Sequence, residues 1–219
     1  ENIIENIIHQ WKIPLVRAGT FLSEIEAISY INKDRKDMIE INKVTENLRL
    51  NMELMQKTVN EFHTFYKTSE NINEFFIFET IEKSWDMLNA KAIMLNAQFL
   101  IFDKEKIKIT TYQDYLSHIF LILIDNFLNI TKKRNIKNAK IIFNIENLPN
   151  NKVQILIEDN CKGIKDIPLN QIFNSNNSGL GLILAGTFTK DKLQGNIDAK
   201  NIKNGLKFTI QIHIGGKFL

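Results

Sequence analysis

"KVQILIEDNCKGI", residues 152–164, is the stretch on which the fold turns. Val153, Ile155 and Ile157 share one face of a strand, and Asp159 follows in the same phase, so its carboxylate enters the interior with them. A carboxylate in that position needs hydrogen-bond donors. Backbone amides of its own turn could supply them. So could an amine on a ligand, such as the exocyclic amine of adenine, and Gly163 would let the backbone come close to that ligand.

Further on, "NSGLGLILAGTF" (177–188) places Gly179 and Gly181 at the entrance to a helix. Such a turn presents free N–H groups and the positive end of the helix dipole, which suit phosphate. Upstream, "DYLSHIFLILIDNFLNITKK" (114–133) lies in a helix expected over 111–134, with Leu116, Phe120, Leu123, Phe127 and Ile130 as its buried stripe. Ile122, Asn126 and Asn129 occupy an adjacent face at i, i+4 and i+7. Asn126 offers a carbonyl oxygen, a hard ligand suited to Mg²⁺ held mainly by nucleotide phosphates. Taken singly, each feature has a plainer explanation: a loop glycine, or a solvated asparagine.

The surrounding segments define the domain. "EFFIF" (74–78) and "QFLIFDKEKIKIT" (98–110) read as strands, with a helix from about Glu79 to Ala97 between them. "AKIIFNIE" (139–146) and "KVQILIED" (152–159) form a hairpin turning at "NLPNN" (147–151). A helix from about Leu180 to Leu193 follows, then "GNIDAKN" (195–201) and "GLKFTIQIHI" (205–214) as closing strands. Without a strict β-α-β rhythm, this predicts a mostly antiparallel sheet with helices on one face, an α+β sandwich.

Residues 1–67 are different, with no strand-like alternation and only Gly19 as a glycine. Ile4, Ile8, Trp11, Leu15, Ala18, Leu22 and Ile25 form one helical stripe, and Val44, Leu48, Met55, Val59, Phe62 and Tyr66 a second. "NKDRKD" (32–37) marks the reversal between them. One hairpin has too thin a seam for a domain, and two hairpins paired as a four-helix bundle would cover it. A coiled-coil linker has the same periodicity. In "NIIHQWKIPLV" (6–16), His9 lies roughly 140° round the helix from the stripe, on the bundle's surface. Pro14 sits inside the helix, where it ordinarily costs about 3 kcal/mol.

Composition narrows the rest. A net charge of +3 spread over 219 residues makes no basic patch, so no nucleic-acid partner is implied. The single cysteine, Cys161, excludes an internal disulfide and suits a reducing compartment. His9, His63, His118 and His213 are too scattered for a metal-ligand spacing. The longest apolar run, "IFLILI" (119–124), is far too short to span a bilayer. There is no signal peptide, and the start at Glu1 reads as a fragment with an upstream part missing.

Taken together, the motifs resemble the catalytic core of bacterial sensor histidine kinases. "DNFLN" (125–129) looks like the N box, "DNCKGI" (159–164) the first glycine box and "NSGLGL" (177–182) the second. "QIFN" (171–174) is similar to the start of the phenylalanine box, and "QGNIDAKN…GLKFTI" to the closing pattern. "IIHQWKIPL" (7–15) resembles the phosphoacceptor box, and "TVNEFHTFYK" with "FFIFETIEKSWDML" the passage into the first strand.

The resemblance implies two domains. Residues 1–70 would form the dimerisation and phosphotransfer hairpin of a dimeric four-helix bundle, and 71–219 an α/β-sandwich ATP-binding domain. It implies His9 as phosphoacceptor, with Gln10 beside it in the catalytic position. ATP would be held by Asn126, Asn129, Asp159, Gly163, Gly179, Leu180, Gly181 and Thr209, with Mg²⁺ on Asn126. The implied partners are a second copy of the chain and a response regulator whose aspartate takes the phosphoryl group. The implied setting is a cytoplasmic domain of an inner-membrane sensor, reaching the membrane only through the upstream segment.

Five departures from the family pattern stand out. Gln10 replaces the acidic base after the histidine, and Ile13 the polar residue four places on. Ile122 replaces the earlier N-box asparagine and Cys161 the first glycine of its box. Asn174–Ser178 leave almost no lid over the nucleotide. They keep open two alternatives, a sensor acting mainly as a response-regulator phosphatase and a pseudokinase docking platform.

Overall fold

In the computed structural model, the described residues are 2–31, 41–53, 55, 71–165, 168–173 and 179–215. The side chains of 2–13, with His9, Gln10, Trp11 and Ile13 among them, and the expected lid at 174–178 lie outside the described set. The chain divides into two compact units, Glu1–Lys67 and Thr68–Leu219. Among the described residues, no helix is long and apolar enough to cross a membrane.

The first unit contains α1 (Asn2–Ile31) and a second helix, α2 (41–53). The helix runs through Pro14, although proline cannot donate to the carbonyl one turn earlier. Asn51 of α2 donates its side-chain N–H to the Pro14 carbonyl at 2.6 Å, a buried tie between the two helices. Val44 is buried with it, whereas Leu15 and Leu22 of the expected seam are 53% and 52% exposed.

In the second unit β1 (Ile72–Phe76) pairs antiparallel with β3 (Lys108–Tyr112) as a separate ribbon. The main sheet has the order β2-β4-β5-β7-β6, from β2 (Gln98–Phe102), β4 (Lys140–Leu148), β5 (Lys152–Asp159), β7 (Gly205–His213) and β6 (Asn196–Ile202). Three of its pairings are antiparallel, and β2 lies parallel to β4. A parallel neighbour needs a long crossover, and the chain from β2 to β4 carries one in α5 (Gln113–Arg134). The segment 98–110, read as strand, supplies one strand to each sheet.

Alternation sorts the main sheet cleanly. Ile141, Phe143, Ile145, Val153, Ile155, Ile157, Phe208, Ile210 and Ile212 are buried on the face toward the helices. Phe120 of α5 meets Phe143 edge-on at 6.0 Å, and Trp85 of α3 (Ile77–Met87) stacks on Phe99 of β2 at 4.9 Å. The helix expected over 79–97 is broken at Leu88, after which α4 (Asn89–Met94) adds a short turn. α5 buries Leu116, Phe120, Leu123 and Phe127 with five further residues, a wider stripe than the heptad reading, while Ile130 is only half-buried. It stops at Asn135 in the left-handed region after Lys132, Lys133 and Arg134, a favourable end for the helix dipole. α6 (Leu180–Thr187) passes into a π-helical turn at Phe188–Lys192, so the helix expected to Leu193 is two pieces.

Candidate nucleotide site

Strand β5 delivers Asp159 at its end, following buried Val153, Ile155 and Ile157. Its Oδ1 accepts from the Cys161 amide at 2.7 Å and the Leu206 amide at 3.4 Å. Oδ1 is thus held by one amide of its own turn and one of β7, and among the described residues no hydrogen bond reaches Oδ2. Burial holds the carboxyl above its usual range, opposed by the two amides and by the Arg134 charge.

Four contacts hold the turn after Asp159. Arg134, at the end of α5, donates through Nη1 to the carbonyls of Cys161 and Gly163, the latter at 2.7 Å. Cys161 is buried with Sγ 3.4 Å from the Thr131 hydroxyl, and burial pushes its thiol pKa up, so it behaves as a small core residue. Asn160 bridges the Lys140 amide and the Asn138 carbonyl at 2.8 and 2.9 Å. Asn201 of β6 pairs with both the amide and the carbonyl of Ile164, at 2.9 and 2.7 Å.

Gly163 serves this scaffold. Its φ is +65°, and a Cβ there would sit 2.3 Å from the Asn201 side-chain oxygen. In the protein itself the glycine makes room for Asn201.

Across from the turn, Gly181 brings α6 against α5, with its Cβ position 3.3 Å from Ile122. Gly179 caps α6 with φ +86°, open space around it and no side-chain cap, which leaves the helix-end amides to other acceptors. Leu180 is buried, so its backbone amide is what it can present.

One turn along α5 from Ile122, Asn126 has its side-chain nitrogen buried without a hydrogen-bond partner among the described residues. An orphaned amide is costly unless something answers it. A phosphate oxygen would do so, and the amide turned about its terminal bond would offer Oδ1 to a cation. The residues therefore fit Mg-nucleotide with Asn126 as the metal-facing group. Among the described residues, no cluster of three or more His, Cys, Asp or Glu side chains could hold a metal alone.

Asn129 is committed elsewhere. Its Oδ1 accepts from Lys91 at 2.7 Å, its Nδ2 donates to Asp125 at 2.8 Å, and Lys91 also pairs with Asp125 at 2.6 Å. Thr209 departs from its expected place. It pairs with Leu156 and Asp198 on the sheet face opposite Phe208 and Ile210, whereas Asp159 follows the helix-facing phase. The β7 residue that does reach Asp159 is Leu206, through its backbone. Lys91, Arg134, Asn160 and Asn201 were missed by sequence reasoning. Each acts across 20 residues or more, and nothing local marks it.

Comparison with known proteins sets this geometry in context. Residues 111–215 match the family described as histidine kinase-, DNA gyrase B- and HSP90-like ATPase. The catalytic domain of histidine kinase ThkA aligns with a TM-score of 0.59 and 22% identity, over 66% of this chain and 97% of that one. Acinetobacter baumannii histidine kinase AdeS aligns with a TM-score of 0.66 and 18% identity, over 94% and 98%. ThkA in complex with the response regulator protein TrrA aligns with a TM-score of 0.67 and 19% identity, over 96% and 60%. At these identities the likeness is one of fold. No curated protein sequence matches the chain significantly.

Proposed function

Residues 111–215 being a domain of the histidine kinase-, DNA gyrase B- and HSP90-like ATPase family, we propose that this chain is the catalytic core of a two-component sensor histidine kinase. The observation that supports the reading is that three groups are tied to one helix, α5: the turn after Asp159 through Arg134, Asn126 in its middle, and the start of α6 against Ile122. These present the Asp159 carboxylate, the orphaned Asn126 amide and the open N-terminus of α6 at Gly179–Gly181. An adenine amine answers Oδ2 of Asp159 and phosphates answer the α6 amides, while Asn126 would hold Mg²⁺, which would offset part of the phosphate charge.

His9, in the other unit, is the acceptor in this reading. A neutral imidazole nitrogen attacks the γ-phosphorus, the bond to the β-phosphate oxygen breaks, ADP leaves, and the imidazole proton goes to solvent. A response-regulator aspartate then takes the phosphoryl group from the imidazole, which restores His9. ThkA, a structural relative, has been captured with such a regulator. Gln10 cannot take up a proton, so the histidine step is slower than with an acidic neighbour, by about 10²-fold or more.

The test is incubation of the protein with γ-labelled ATP, followed by addition of candidate regulators. Acid-labile, base-stable label that vanishes in His9→Gln is expected, with a gain in Gln10→Glu. Label that persists in His9→Gln refutes the acceptor. A protein that binds nucleotide yet never labels is a docking platform instead.

A further inference from the structure

We propose that Lys91 is a phosphate-binding residue of the nucleotide site, held ready for that role by Asp125 and Asn129. The inference rests on the nucleotide reading above and adds a residue that no motif contains. It begins from a row along α5. Ile122 marks where the N-terminus of α6 lies against the helix. Asn126, with its orphaned amide, comes one turn later, and Asn129 comes next. From Ile122 to Asn129 the helix rises about 10 Å. The Lys91 ammonium lies at the far end of this row, 2.7 Å from Asn129 Oδ1.

The charge inventory of the site gives the ammonium its purpose. A nucleoside triphosphate brings more negative charge than one Mg²⁺ would offset, and the other protein groups assigned to the phosphates are neutral: helix-end amides and the Asn126 side chain. Arg134 is occupied with the carbonyls of the adenine-side turn. Lys91 supplies the cationic side chain that the protein itself otherwise lacks there, from α4 rather than from α5.

Its own hydrogen bonds are consistent with this role. An ammonium has three N–H donors. Lys91 gives one to Asp125 and one to Asn129, which leaves a third without a partner among the described residues. Lys91 and Asp125 side chains are 33% and 30% exposed, so the pair is reachable from solvent and phosphate can approach without breaking it. Asn129 Nδ2 in turn holds the second carboxylate oxygen of Asp125, which closes a ring that fixes the ammonium in place. Asn129 is then a positioning residue, acting on phosphate through Lys91. A purely structural staple between α4 and α5 would use the same three bonds, and the two roles differ in what their loss does to different nucleotides.

Calorimetric titrations of the whole chain with adenosine, Mg·ADP and Mg·ATP separate them. In Lys91→Met, adenosine affinity is expected to stay within about twofold of wild type, while ATP affinity falls about tenfold or more and ADP affinity falls less. Lys91→Arg should keep most of the ATP affinity, and Asn129→Ala should lose a few-fold. Added salt should narrow the gap between wild type and Lys91→Met. If Lys91→Met fails to fold by circular dichroism, Lys91→Gln, which keeps donors for Asp125 and Asn129 without the charge, takes its place. Equal losses for adenosine and ATP, or no loss for either, would overturn the assignment and leave Lys91 a staple. Wild-type protein that binds none of the three ligands would instead overturn the nucleotide reading and this inference with it.

Discussion

Asp159 carries two demands in the proposed reading: one oxygen organises its turn, and the other is to accept from the adenine amine. Burial raises its pKa despite the Cys161 and Leu206 amides. The folded protein therefore keeps the proton at a pH where the unfolded chain has released it. Unfolding free energy from this group falls as pH rises from the ordinary carboxylate range through the folded value. The ionised form, however, is the better acceptor for an adenine amine. As pH rises above the ordinary carboxylate range, stability should fall slightly while adenosine affinity rises, and Asp159→Asn should flatten both trends. Urea midpoints and adenosine titrations across that rise are the measurement, and parallel trends would contradict the account.

Gly163, by contrast, is a packing residue in a functional motif. Gly163→Ala should cost about 1–3 kcal/mol, from the positive φ and the collision with Asn201. The same change should cost less in an Asn201→Ala background, where only the backbone strain remains. A double-mutant cycle by urea unfolding reads the difference. The phase of Asp159 was legible in the sequence because a strand alternates strictly. The true neighbour of Gly163 was not, because Asn201 arrives from another strand.

At the scale of elements, α5 is the axis of the site. Its middle carries Asn126, its flank meets α4 through Asp125 and Asn129, and its end holds the Asp159 turn through Arg134. Arg134→Ala removes two charge-assisted bonds on an exposed arginine, so about 1–2 kcal/mol of stability is expected to go. Its effect on ligands should be the reverse of that at Lys91. Adenosine and ATP should weaken by the same factor, because the adenine side loosens and the phosphate side does not. A selective loss of ATP would mean that Arg134 reaches the phosphates.

Periodicity and turn residues made α5, the β4–β5 hairpin and the closing β6–β7 hairpin readable, since all three are local. The parallel pairing of β2 with β4 and the separate β1–β3 ribbon were not readable. Both depend on which segments meet after long crossovers. The break at Leu88 is likewise silent, because α3 and α4 together keep a helical composition without a proline or glycine.

For the whole molecule, the proposed reading puts assembly in Glu1–Lys67 and nucleotide binding in Thr68–Leu219, so the two should be separable by substitution. The hairpin buries Val44 and Asn51, yet leaves Leu15 at 53% and Leu22 at 52% exposure on the stripe that the sequence marks as core. Fully covering one such leucine is worth about 1.5–3 kcal/mol. A second hairpin supplies that cover in the proposed four-helix bundle, and the sequence periodicity demands it more clearly than one chain satisfies it. The intact protein should therefore sediment as a dimer at micromolar concentration. Leu15→Asp with Leu22→Asp should convert it to a monomer, because two carboxylates would be buried at the seam without partners. Adenosine should bind the monomer as tightly as the dimer, since Asp159 and its turn belong entirely to the second unit. A wild-type monomer would remove the bundle from the proposal. A double variant that stays dimeric would move the interface away from these leucines, and adenosine affinity that falls with dissociation would show that the two units are coupled.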